Sequence, residues 1–236
     1  MSHVPFTPTH HALLFGWIAR EVILAVGEKA GAPLLRQAVR YYGEQRGRRM
    51  AVRAQANGDP LTFASYLVYG EWRGPAGEMV VEVVGATPDL HQRVHRCSWH
   101  AAWESRDLMP YGRYYCQAVD EAIARGFNPD LTLEVNSTRS NGAPCCEFVY
   151  RGANLDETTQ RWVDARRAAL GLSGVASWEY HAGHLFKSVG EVVVAALSER
   201  GRAVMQAALD EFARAYGQSA AQIVADYAST DFNCLP

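Results

Sequence analysis

The sequence predicts an α+β fold: a small, mostly antiparallel sheet flanked by many helices, in a single domain over residues 1–236. Two patterns carry this. Apolar residues at helical spacing fill both ends of the chain, whereas alternating or β-branched segments crowd its middle. Length agrees, since 236 residues with 48% hydrophobic composition can bury one sizeable core. The patterns divide the domain into a helical N-terminal part over about 8–56, a sheet-containing middle over about 63–151 and a helical C-terminal part over about 156–230.

The first helix is expected over 10–26, where Leu14, Trp17, Ile18 and Val22 recur at helical spacing. Gly27 and Gly31 mark a break, and Pro33 suits the first turn of the next helix. That helix places Leu34, Leu35, Ala38, Val39 and Tyr42 on one face. Gly43 and Gly47, four apart, would allow close helix packing at a cost in helix stability. Arg46, Arg48 and Arg49 form a short basic cluster, read either as a solvated face or as a contact for an anion. NGDP at 57–60 signals a turn, and FASYLVYGEW at 63–72 leans towards β structure. A second turn is expected at GPAG, 74–77.

Strands are expected at 79–84, 92–97, 132–135 and 146–150. The last two flank Asn141-Gly142, which suits a hairpin with a long loop, and Cys146, Phe148 and Tyr150 alternate onto one face assigned to the core. Helices are expected between the strands at 99–108 and 111–125, and beyond them at 156–170, 175–199, 201–216 and 218–228.

Several function classes are disfavoured. A net charge of −2 and a pI near 6.4 supply no basic field for nucleic acid. No apolar run reaches membrane-spanning length, and the N-terminus lacks the pattern of a signal peptide. Five cysteines, an odd number without framework spacing, suit a reducing, cytoplasmic setting. Cys234, in the tail DFNCLP, reads as a thiol without a role. A homo-oligomer is compatible with the apolar helices.

Chemistry concentrates in the middle and in SWEYHAGHLF, 177–186. Cys116 and Asp120 lie one turn apart on the helix expected over 111–125, together with the apolar Val119 and Ile123. An inward carboxylate there needs partners, because an isolated buried charge is very costly. It is either a functional acid or a structural ion-pair partner. Cys97, Cys145 and Cys146 are either buried small hydrophobes or functional thiols. His181 and His184, three apart, share a helix face. They can act as acid–base or substrate-binding groups, since histidine titrates near neutrality, or as ordinary packed residues. The zinc-helix motif needs i, i+4 histidines with a glutamate between, and Ala182-Gly183 occupy that space. No metal or other cofactor is therefore expected. A zinc site from Cys97, Cys116, Cys146 and His181 is the chemically allowed alternative, although paired C-x2-C knuckles are missing.

The runs C-S-W-H-A-A-W, Y-G-R-Y-Y-C-Q-A-V-D, F-N-P-D-L-T-L-E-V and N-G-A-P-C-C-E-F, in that order, resemble the L-2-amino-thiazoline-4-carboxylic acid hydrolase family. The helical entry E-K-A-G-A-P-L-L-R-Q-A-V-R-Y-Y-G-E-Q-R-G and the Y-H-A-G-H-L stretch fit the same resemblance, which covers about residues 20–220. Ala143 departs from it, standing where an acidic residue is expected after the glycine. The resemblance implies a hydrolase that opens a small cyclic amidine, or a related heterocycle or lactam, to give an N-carbamoyl amino acid. Opening such a ring requires a nucleophile or base, an acid, and an anion site. The catalytic set expected is Cys116, Asp120, His181, His184 and Cys146. Cys97, Tyr115, Arg113 and Arg139 are expected to bind a small heterocyclic substrate, the arginines holding its carboxylate. The reading from another class is a small-molecule sensor of similar fold without catalysis.

Overall fold

A computed structural model describes residues 5–72 and 77–236 of the chain. The elements run α1 (Pro8–Val26), α2 (Glu28–Ala56), α3 (Phe63–Val68), β1 (Val80–Gly85), β2 (Leu90–Arg96), α4 (Ser98–Glu104), α5 (Met109–Cys116), α6 (Val119–Phe127), β3 (Leu133–Ser137), β4 (Cys146–Tyr150), α7 (Glu157–Leu170), α8 (Trp178–Leu197), α9 (Glu199–Tyr216) and α10 (Gln218–Asp226). The class is α+β, with one antiparallel sheet of order β1-β2-β4-β3. Among the described residues no helix is long and apolar enough to cross a membrane. The expected turn at 74–77 falls almost wholly outside the described residues.

Two compact units make up the chain, and each is discontinuous in sequence. One combines the described residues through Tyr42 with Cys97–Ala118 and Ser177–Asp231; the other combines those of Gly43–Arg96 with Val119–Ala176 and Phe232–Pro236. Neither follows the three-part division suggested by sequence patterning, because α2 itself contributes to both.

The first unit is helical. Its α1 is buried over most of its surface, from His11 through Ala19 and again at Val22, which is why its sequence is apolar nearly all round. Trp103 of α4 anchors it by donating its indole N–H to the Ala12 carbonyl at 2.7 Å. A Cβ at Gly112 would run into the Trp103 ring, so this position of α5 has no room for a side chain. The same logic explains Gly183, between the paired histidines. Tyr227 lies against α8 there, and its own Cβ is 2.5 Å from where a Gly183 side chain would begin. The Ser177 hydroxyl caps α8 by accepting from the Tyr180 N–H, which starts that helix later than the periodicity suggested.

The second unit carries the sheet. On its inner face Leu90, Tyr150 and Leu133 align across three strands, followed by Gln92, Phe148 and Val135, then by Val94 and Cys146. A core of Phe63, Ala124 and Leu133 packs here, with Tyr66, Phe148 and Tyr150 against it. The other face is polar, with Arg93 donating to Glu147 at 2.8 Å. The α2–α6 crossing is unusually close. A Cβ at Gly47 would meet the Ile123 carbonyl and lie 2.5 Å from the Phe127 nitrogen, and one at Gly126 would lie 2.6 Å from the Glu44 Cα. Gly43 and Gly47 thus let two backbones touch, at the cost of helix propensity.

Three expectations need correction. Residues 63–72 do not form a strand. The Thr62 hydroxyl accepts from the Ser65 N–H and starts a short helix, α3, that buries Phe63, Ser65 and Val68. Local capping and burial override β propensity. The helix expected over 111–125 is two helices. The Ala118 N–H bonds the Tyr115 carbonyl and ends α5, and α6 begins at Val119. Cys116 and Asp120 are therefore not one turn apart on one helix, and they fall in different units. Finally, α2 starts at Glu28, so Pro33 lies inside the helix rather than in its first turn.

Candidate functional site

In the second unit, Asp120 is the acidic residue that burial perturbs most clearly. It lies in the first turn of α6, half-buried as a residue but with its carboxyl deeply set. Burial raises its pKa from 3.8 to about 6; the Arg46 guanidinium opposes that rise and Glu121 adds to it. The Tyr66 and Tyr150 phenols are both raised, by burial first, and both feel the charge of Asp120. Their rings are 6.3 Å apart. Among the described residues, Asp120 thus feels the Arg46 cation, the Glu121 carboxyl and the Tyr66 and Tyr150 phenols. A carboxyl balanced between protonation states near neutral pH can give or take a proton.

Arg46 is held in place. Its Nε lies 3.4 Å from Glu71 and its Cζ sits 3.5 Å from the centre of the Trp72 ring. Glu71 is fully buried and also receives Arg49 at 2.8 Å and Arg53 at 2.7 Å. Arg49 reaches the tail as well, donating to the Phe232 carbonyl at 2.6 Å. Of the basic cluster only Arg48 faces solvent, so the solvated-face reading fails for Arg46 and Arg49. Their helix face is invisible in a charge count. Once Glu71 is known to lie against it, three guanidiniums around one carboxylate become intelligible.

Cys146 is buried on β4, and its sulfur accepts from the Arg139 N–H at 3.3 Å. It shares the core-facing side with Phe148 and Tyr150. The Arg139 guanidinium is near solvent and donates to the His95 carbonyl at 2.6 Å.

In the first unit, His181 and His184 are fully buried, as is His11 of α1. Aromatic rings surround them. Tyr42 is 4.5 Å from His184, Trp178 is 5.4 Å from His181, and Tyr180 is 5.8 Å from His181, between centroids. His11 bonds Tyr42 and Trp99 and faces Tyr115 at 5.6 Å. Tyr115 is itself buried. Cys97 is the N-cap residue of α4 and Cys116 the last residue of α5, each half-buried. Arg113 is at the surface, paired with Glu28 and stacked over Tyr114.

Among the described residues, no group of three or more His, Cys, Asp or Glu side chains is placed to hold a metal ion. The zinc set of Cys97, Cys116, Cys146 and His181 is not assembled.

Sequence reading missed His11, Tyr42 and Trp99 in one cluster and Tyr66 in the other, whereas Arg46 was offered as an anion contact and does meet a carboxylate, that of Glu71. A histidine inside the apolar run of α1 was the one available signal for His11, because such a ring has to find partners. Tyr150 was visible in the alternation of β4.

Fold and clusters together define a helix-rich α+β protein carrying buried histidines, a deeply set carboxyl and half-buried thiols. Residues 9–150 match the family described as L-2-amino-thiazoline-4-carboxylic acid hydrolase, and the chain belongs to that family. Neither the curated proteins nor the solved structures give a match.

Proposed function

We propose that the protein is a hydrolase that opens a small nitrogen-containing ring, a cyclic amidine such as 2-amino-thiazoline-4-carboxylate or a related heterocycle or lactam. Family membership supports the reaction class. The observation that carries the reading is Asp120, a carboxyl poised near pH 6. In a cyclic amidine, water or a thiolate adds to the C=N carbon while the ring nitrogen takes a proton. The bond from that carbon to the ring sulfur then breaks, and the sulfur leaves as a thiol. Water addition gives an N-carbamoyl amino acid directly, whereas on the thiolate route one water then hydrolyses the cysteine-bound intermediate and frees the enzyme thiol, so either route sums to substrate plus one water. Asp120 is proposed to protonate the ring nitrogen or hold the amidinium. Cys116 is proposed as nucleophile or substrate-facing thiol with Cys146 as the alternative, and His181 and His184 as proton carriers. Cys97 and Tyr115 are proposed to line the substrate. Arg113 and Arg139 remain the proposed guanidiniums for its carboxylate, which would share them with Glu28 and the His95 carbonyl.

The test is a panel of 2-amino-thiazoline-4-carboxylate, other cyclic amidines, hydantoins and lactams, followed for ring opening with and without chelator. Ring-opened product that persists in chelator is expected. Saturable binding with no product from any ring would replace this reading with a sensor.

A further inference from the structure

The proton position on His11 can be read from its neighbours. The Trp99 indole N–H donates to His11 Nδ1 at 3.1 Å. An indole nitrogen only donates, so Nδ1 must present a lone pair. An imidazolium carries a proton on both nitrogens, so this ring is neutral, with its proton on Nε2. That atom lies 3.0 Å from the Tyr42 hydroxyl. Were Tyr42 the donor, both ring nitrogens would be acceptors and the ring an imidazolate, which is far too basic to persist in water. His11 Nε2–H therefore donates, the phenol oxygen accepts, and the Tyr42 O–H is directed away from His11.

The surroundings favour the neutral ring. His11 is fully buried, and burial disfavours the charged form. The rings facing it are Tyr42 of α2, Trp99 of α4, Tyr115 of α5 and Trp178 of α8. Only the two phenols among them are titratable, and a phenol is neutral at pH 7.

We propose that Trp99, His11 and Tyr42 form a hydrogen-bond relay of fixed polarity, in which His11 is a positioning residue that makes Tyr42 a proton donor beside the paired histidines of α8. Accepting a hydrogen bond at its oxygen makes a phenol a better donor through its own O–H. The Tyr42 ring is 4.5 Å from that of His184, so the donor stands next to one of the groups proposed to carry protons. The polarity of the relay follows from the donors alone; its use in turnover rests on the ring-opening reaction proposed above.

Nitrogen-15 NMR of the full-length chain labelled at histidine tests the polarity without any substrate. The His11 ring, assigned by its loss in His11→Gln, is expected as the neutral Nε2–H tautomer throughout about pH 5.5–8. Trp99→Phe removes the donor and keeps an aromatic ring, so His11 is expected to become a tautomer mixture that titrates. An Nδ1–H tautomer or an imidazolium in the unsubstituted chain, or an unchanged His11 spectrum in Trp99→Phe, overturns the relay. For its use, His11→Gln, which can still donate to Tyr42, is expected to retain at least about tenfold more turnover than His11→Phe, with both folded by circular dichroism. Equal turnover in the two refutes the positioning role while leaving the tautomer intact. Absence of turnover in the unsubstituted chain fails the reaction and not the relay.

Discussion

Replacing Asp120 by Asn should make the protein more stable at neutral pH while removing the group proposed to move the proton. Aspartate ordinarily titrates at 3.8, and burial among Tyr66, Tyr150 and the α2–α6 crossing moves Asp120 to about 6. The folded state therefore holds this proton more tightly than the unfolded chain does. Below about pH 3 the carboxyl is neutral in both states and costs nothing. As pH rises from about 4 to about 6 the unfolded chain ionises first, and the folded state loses stability relative to it. Above about 6 the loss is complete. Each pH unit between the two values is about 1.4 kcal/mol, which sets an upper limit of about 3 kcal/mol. Arg46 already offsets part of the burial and is contained in that figure. Asparagine has nearly the same shape and no charge to bury. Denaturant unfolding at pH 4, 5, 6 and 7 on both proteins isolates the effect as a difference, cancelling the carboxylates whose pKa is lowered, such as Glu147 and Asp156. The difference should be about 0.6 kcal/mol at pH 4 and grow to its plateau by pH 7. A destabilised Asp120→Asn at pH 7, or a difference independent of pH, would refute the reasoning.

Other outcomes follow from the same geometry. If Asp120 acts as an acid, turnover should fall about tenfold per pH unit above pH 6, and Asp120→Asn should lack that limb; steady-state rates against pH decide it. Glu71→Gln leaves three guanidiniums without their shared carboxylate and should cost about 3–5 kcal/mol, seen as a lowered thermal midpoint. Gly47→Ala drives a methyl into α6 backbone atoms and should destabilise by about 2 kcal/mol or more, whereas Gly70→Ala, whose methyl meets no neighbouring atom among the described residues, should be tolerated. Cys116→Ser and His181→Gln should each lower turnover at least about tenfold with the circular dichroism spectrum retained.

The sequence by itself determined the class of fold and most elements, because periodicity reports which face of a segment is buried. The β4 bounds, Cys146–Tyr150, match the alternation of Cys146, Phe148 and Tyr150, and α7 to α10 lie close to the expected segments. The family was legible too, from the order of motifs through C-S-W-H, Y-C-Q-A-V-D and C-C-E-F, and the match over 9–150 confirms it. Asp120 was legible as an acid on an apolar stretch of chain. Only tertiary structure decided how that acid is tuned. Tyr66 reaches it from a segment that reads as β but is capped into a helix by Thr62, and Arg46 comes from a cluster whose burial depends on the distant Glu71. The break between Cys116 and Val119 has no proline or glycine to announce it; two helices form there because each packs in its own unit. Gly183, which looked like a gap in a metal motif, is the seat of Tyr227. Local pattern encodes which side of a segment avoids water. Which partners meet that side depends on residues tens to hundreds of positions away, as Tyr66 and Arg46 do for the charge of Asp120.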